Sequence, residues 1–108
     1  AYTPYQPECS QGTLQWIYEF QSMIAELTGC EIANASMYDG ASAGAEAVLM
    51  ACNIKRRQKV VVSAGVHPDA RHTIQTYLKH VEIEVVEAPL VDGVTEWGDL
   101  VDQDCAAV

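Results

Sequence analysis

The sequence predicts an α/β fold with a parallel sheet, on two observations. From Glu31 onward, short runs rich in valine and isoleucine alternate with stretches of helical periodicity, and such alternation implies parallel pairing through right-handed crossovers. The composition, 49% hydrophobic and 19% charged over 108 residues, suits one domain with a buried core. It excludes a disordered tail or a collagen-like repeat.

Residues 1–10 read as an extended lead-in, stiffened by Pro4 and Pro7, each of which turns the preceding residue away from helix. Ser10 is the expected N-cap of a helix over 11–29, with Gly29 closing it. One stripe of that helix carries Leu14, Ile17, Tyr18, Ile24 and Ala25, and a second carries Trp16, Phe20, Met23 and Leu27. Only Gln15, Glu19, Ser22 and Glu26 form a polar side, so the helix calls for two packing partners. Residues 31–108 read as a βαβαβ segment. It opens with a strand over 31–36, a small-residue helix over 40–53 and a strand over 59–64 through Val60, Val61 and Val62. Pro68 suits the first turn of the next helix, which places Ala70, Ile74, Tyr77, Leu78 and Val81 on one face. A strand through Ile83, Val85 and Val86, a loop over 89–93, one or two helical turns within 95–101 and an opening strand at 105–108 complete the pattern.

Charge and cysteine usage narrow the function classes. Fifteen acidic against six basic residues give a net charge of −9, which repels nucleic acid and anionic membrane surfaces. No apolar run approaches the ~18 residues that cross a bilayer, and the first residues lack the parts of a signal peptide. Lys55, Arg56, Arg57 and Lys59 form the one basic cluster, read as a solvated turn between helix and strand. Cys9, Cys30, Cys52 and Cys105 show neither a C-x-x-C pair nor zinc-ligand spacing, so no metal site is expected. They read as free thiols of a cytosolic protein, Cys30 and Cys52 as small buried hydrophobes.

In a parallel sheet, function gathers at the carboxyl ends of the strands, where the βα loops lie. The first such loop is Met37-Tyr38-Asp39-Gly40-Ala41-Ser42-Ala43-Gly44. A helix opening on small residues can hold a phosphate or carboxylate on its backbone amides; the alternative is that the small residues serve tight packing on the sheet. The same stretch contains a literal G-x-S-x-G, which in a serine hydrolase would make Ser42 the nucleophile. Five residues separate Ser42 from Ser36 at the predicted strand end, which argues against that elbow. The second loop, Gly65-Val66-His67-Pro68-Asp69, puts His67 at a strand end as a general acid or base, as a ring that stacks on a planar ligand, or as a helix cap. His72 and His80 lack the i, i+4 spacing of a zinc pair and read as surface residues. In the lead-in, Tyr2, Thr3, Tyr5, Gln6 and Glu8 gather hydroxyls, an amide and a carboxylate, as a substrate-lining or partner-contacting loop would.

The run TPYQPECSQGTLQWIYEFQSMIAELTG, followed by ANASMYDGASAGAEA and VSAGVHP, resembles the P-protein family of the glycine cleavage system, in particular its subunit 1 type, over nearly the whole chain. The resemblance implies the large domain of a fold type I pyridoxal-phosphate enzyme, an aspartate aminotransferase-like fold whose sheet is incomplete here because the family's subunit is several times longer. Within that fold it implies a gap between the strand near Ile32 and those at Val60 and Ile83, and exposed apolar faces. It implies decarboxylation of glycine on pyridoxal 5'-phosphate, with transfer of the aminomethyl group to the lipoyl arm of the H-protein. In the two-subunit bacterial or archaeal form, a cytoplasmic enzyme, it implies that subunit 2 bears the aldimine lysine and holds most of the cofactor. Subunit 1 then completes the site across the interface, or serves only as a scaffold, and this fragment is inactive alone. Lys55, Lys59 and Lys79 are the lysines present, and none sits in a desolvated pocket by sequence. Carried over by motif, Tyr5, Tyr38 and His67 are the catalytic candidates, and Tyr2, Thr3, Gln6, Glu8, Asp39, Gly40 and Ser42 the substrate- or interface-lining ones.

Overall fold

The computed structural model describes residues 5–108; Tyr2 and Thr3 of the predicted lead-in lie outside the described residues. The chain divides into two compact units, Ala1–Met37 and Tyr38–Val108.

In the first unit, a 3-10 turn at Pro7–Cys9 leads to Ser10, whose side chain accepts from the Thr13 amide and caps α1 (Gln11–Thr28). Gly29 ends the helix at φ 72°, a left-handed conformation that a residue with a Cβ enters at a cost. Thr13, Ile17, Gln21, Ile24 and Ala25 are half-buried along one stripe. The second predicted apolar stripe, Trp16, Phe20, Met23 and Leu27, is exposed, and no residue of α1 is fully buried. The strand expected over 31–36 does not form. Side chains take up its backbone groups instead: Gln21 Nε2 donates to the Ala33 carbonyl at 3.0 Å, and the Ser36 amide donates to Asn34 Oδ1 at 2.6 Å. Local partners of this kind compete with a strand ladder. Cys30, expected to be buried, is exposed beyond the end of α1.

The second unit orders its elements as α2 (Gly40–Lys55), β1 (Lys59–Ser63), α3 (Pro68–Leu78), β2 (Glu84–Ala88), β3 (Leu90–Val91), β4 (Val94–Thr95) and β5 (Cys105–Ala107). The sheet is β2-β1-β5, parallel throughout, with Val60 opposite Val85 and Val61 opposite Val86. The predicted gap lay between a strand near Ile32 and these, and with no strand formed at 31–36 the sheet has no member on its far side. The expected βαβαβ order loses its first strand and gains a hairpin, because the predicted 89–93 loop folds as β3–β4. Asp92 and Gly93 take φ 53° and 80° at its turn, the pair of left-handed residues whose twist matches a two-residue hairpin.

Each face of the sheet builds its own core. Ala45 of α2 and Ile74 and Leu78 of α3 bury against Val62, Ile83 and Val85 on one face; Val61, Ala88 and Cys105 cluster with Val86 and Leu100 on the other. Large apolar side chains remain exposed in both units, among them Met50, Ile54, Val91 and Val94 in the second. The basic turn is more than a solvated loop. Arg57 Nη1 donates to the Cys105 carbonyl at 2.9 Å, and Lys59 pairs with Asp102, tying β1 to the segment that leads into β5. The Lys59 hydrogen bond holds the Asp102 carboxyl below its ordinary range, and the same bond raises the Lys59 ammonium. All four cysteines are free, with Cys52 and Cys105 buried; burial pushes the Cys52 thiol up.

Candidate functional site

The connections set the site's position. α2 feeds the amino end of β1 through residues 56–58, and α3 leaves its carboxyl end through residues 64–67. Both helices therefore run against the strands and open at the carboxyl edge of the sheet, where α/β proteins place their ligands.

At the start of α2, Asp39 is extended and caps the helix with both carboxylate oxygens. Oδ1 accepts from the Ser42 amide at 2.8 Å and Oδ2 from the Ser42 hydroxyl at 3.0 Å. These bonds, the amide first, hold the Asp39 carboxyl below its ordinary value. The positive end of the helix thus already carries an anion belonging to the chain. Gly40 leaves open space, since a Cβ there would meet nothing within 4 Å. Tyr38, just outside the cap, is 83% exposed. Ser42 sits inside the helix with its hydroxyl committed to Asp39, and no strand runs into it. The serine-hydrolase alternative fails on that geometry, because the nucleophile elbow requires a serine at a strand tip.

At the start of α3, His67 is the N-cap, and its Nδ1 accepts from the Asp69 amide at 3.3 Å. Accepting at Nδ1 places the proton of the neutral ring on Nε2, and the side chain is 75% exposed. His67 therefore serves as a cap while presenting a free ring edge. His72 and His80 are exposed, as predicted.

Sequence reasoning missed the polar residues that build this edge. Ser63 Oγ lies 2.6 Å from Thr95 Oγ1 and also accepts from the Gly65 amide at 3.0 Å. A Cβ on Gly65 would come within 3.2 Å of Ser63 Oγ and 3.4 Å of Leu90 Cδ2, so any larger residue there must push those side chains back by a few tenths of an ångström. Arg71 and Glu87 pair from α3 to β2. Ser63 was detectable as the polar end of a valine strand; Thr95 was not, without the hairpin that carries it. Tyr5, Gln6 and Glu8 belong to the first unit, where all three are exposed around the Pro7–Cys9 turn. A cavity of about 970 Å³ opens at the opposite, amino edge, lined by Arg56, Arg57, Lys59, Glu82, Glu84 and Asp102 among others. It includes none of the candidates, and its mixed charge selects no ligand of one sign.

The fold and this edge define a parallel α/β protein whose incomplete sheet is that of the fold type I pyridoxal-phosphate enzymes. Residues 1–108 match the family model described as Glycine cleavage system P-protein. The chain is 60% identical over 96 residues to the probable glycine dehydrogenase (decarboxylating) subunit 1 of Moorella thermoacetica, covering 89% of this chain and 22% of that protein. The Bacillus subtilis protein of the same name is 58% identical, with 89% and 21% covered, and that of Desulforamulus reducens 54% identical, with 100% and 25% covered. A crystal structure of glycine decarboxylase (P-protein) of the glycine cleavage system, in inhibitor-bound form, superimposes with a TM-score of 0.85 at 52% identity over 97% of this chain and 24% of that one. The chain belongs to the glycine cleavage system P-protein family. It spans about a fifth to a quarter of the length of these curated, bacterial relatives. Among the described residues, no helix is long and apolar enough to cross a membrane.

The family is pyridoxal-phosphate-dependent, and the residues of this chain do not fit that cofactor. The Asp39 carboxylate occupies the amino terminus of α2 and leaves no free anion cradle there. The three lysines fall toward the amino edge: Lys55 in the last turn of α2, Lys79 at the end of α3, and Lys59 paired with Asp102.

Proposed function

We propose that this chain is a segment of the non-lysine subunit of a glycine-decarboxylating P-protein, and that it completes an active site shared with a second subunit. The observation that carries the reading is the self-capped α2 terminus, a helix start that could cradle an anion on its amides and is filled by its own Asp39 carboxylate. A chain of this kind leaves the cofactor phosphate and the cofactor-bearing lysine to its partner and offers neutral polar groups to the shared site. Tyr38 and His67 are exposed at the carboxyl edge, Tyr5 is exposed in the first unit, and these three are the groups proposed to reach the substrate. Gln6, Glu8, Asp39, Gly40 and Ser42, with Tyr2 and Thr3, would line the site or the interface. The whole enzyme would act in the cytoplasm, removing carbon dioxide from glycine and passing the aminomethyl group to a lipoylated H-protein.

The test pairs the full-length chain with subunit 2 and H-protein and follows exchange of the glycine carboxyl with bicarbonate. The pair is expected to exchange, and the chain alone to show no cofactor absorbance. Tyr5→Phe and Tyr38→Phe are each expected to slow exchange about tenfold, the worth of one hydrogen bond. Unchanged rates in both would leave the chain a scaffold, and a cofactor band from the chain alone would overturn the assignment of the lysine to the partner.

A further inference from the structure

We infer that Arg71 is a positioning residue: it clamps the βα loop that carries His67 and so sets where the imidazole stands at the carboxyl edge. The inference rests on the reading of His67 as a site residue. Its basis is the convergence of three bonds on one residue. Arg71 Nε donates to the Val66 carbonyl at 3.0 Å, its Nη1 pairs with the Glu87 carboxylate on β2, and its backbone amide donates to the His67 carbonyl at 3.1 Å. One side chain from the second turn of α3 thereby joins the loop, the helix and the neighbouring strand. The side chain of Arg71 is only 21% exposed, less than half the exposure of Glu87 at 46%, so the clamp lies on the protected side of the pair.

The rest of the loop is held only at its beginning. Ala64 donates to the Ala88 carbonyl at 2.8 Å, Gly65 and Val66 donate to the hydroxyl and carbonyl of Ser63 at 3.0 and 3.1 Å, and the His67 ring makes polar contact with Asp69 alone among the described residues, accepting from its amide at 3.3 Å and lying 3.8 Å from its carboxylate. Without Arg71, Val66 and His67 keep no side-chain tie to β2. Arginine is required here because its planar fork presents Nε and Nη1 to two acceptors at once, whereas a lysine ammonium at the end of a flexible stem reaches one or the other.

The experiment uses the full-length subunit assembled with subunit 2, in the variants Arg71→Met, Arg71→Lys, Glu87→Gln and His67→Gln. Amide hydrogen exchange is read on peptides covering residues 63–70, and glycine–bicarbonate exchange supplies kcat and KM. Arg71→Met is expected to speed amide exchange in that loop about tenfold while the other peptides hold. It is also expected to lower kcat by roughly tenfold to a hundredfold with KM for glycine unchanged, the signature of a displaced group. Arg71→Lys and Glu87→Gln, which each keep part of the clamp, are expected to fall between wild type and Arg71→Met in both readouts. Unaltered loop exchange in Arg71→Met overturns the clamp. Faster loop exchange with an unaltered kcat overturns its positioning role. If His67→Gln leaves the rate intact, the reading of His67 falls, and with it the functional half of the inference, whatever the loop amides do.

Discussion

The alanine-rich start of α2 can be tested by overfilling it. Ala45 is fully buried between α2 and α3 against Ile74 and Leu78, whereas Ala47, two positions on, is exposed. Leucine is nearly as good a helix former as alanine, so substitution at either site isolates packing. Ala45→Leu adds three carbon atoms to a contact with no free surface and must part the helices or force their side chains off rotamer, at about 1–3 kcal/mol. Ala47→Leu is expected to change stability by less than about 0.5 kcal/mol. With a urea m-value of about 1–3 kcal/mol/M, the Ala45 variant should unfold roughly 1 M earlier. Urea titration of this chain followed by far-UV circular dichroism reads both midpoints. Equal midpoints would refute the packing account and return the small residues of α2 to the role of a ligand cradle.

Two further outcomes follow from the turn and the ion pair. Gly93 takes φ 80° in the β3–β4 turn; Gly93→Ala is expected to cost about 1 kcal/mol, the penalty of a Cβ in the left-handed region, and Gly93→Asn less, both measured as urea midpoints. The Asp102 carboxyl is lowered from its ordinary 3.8 by Lys59, so its contribution is present above that value and is lost as pH falls through the lower folded value. Lys59 is raised from 10.5, so its share is present below that value and is lost as pH rises through the higher folded one. The stability lost in Asp102→Asn should therefore be largest near neutrality and shrink in acid, in thermal melts across pH; a gap that stays constant into acid would contradict the pairing.

Where local chemistry decides structure, the sequence was readable. Ser10 and His67, both read as possible caps, each cap the helix they precede through their own side chains, as Asp39 also does without having been read so, and the valine run at β1 folds as the central strand of the sheet. Structure that depends on pairing was harder to read. Residues 31–36 carry the apolar content of a strand, but a strand needs a neighbour's backbone, and Gln21 and Asn34 claim those groups first. The β3–β4 hairpin was missed although Asp92-Gly93 stands between Val91 and Val94, because strands of two residues leave almost no alternation to detect. Among the site candidates, Tyr38 and Asp39 were singled out as following a strand over 31–36 that does not form, and His67 as standing between a strand and a helix, which it does. Arg71 and Glu87 were not, since nothing local relates a residue in the second turn of α3 to one on β2.

The placement of cations decides how well this edge could hold an anion by itself. Of the six basic residues, Lys55, Arg56, Arg57 and Lys59 cluster around the turn into β1, and Lys79 follows α3, all toward the amino edge. Arg71 alone stands near the carboxyl edge, and its guanidinium is committed to Val66 and Glu87. Asp39 occupies one helix terminus there, and the His67 ring caps the other. An arriving phosphate would meet a carboxylate at the first terminus and no uncommitted cation at either, and desolvating it against that field is unfavourable. A neutral polar group meets no such opposition there. The electrostatics of the edge thus oppose an anion held by these residues alone, and any phosphate bound there would need positive charge from outside them.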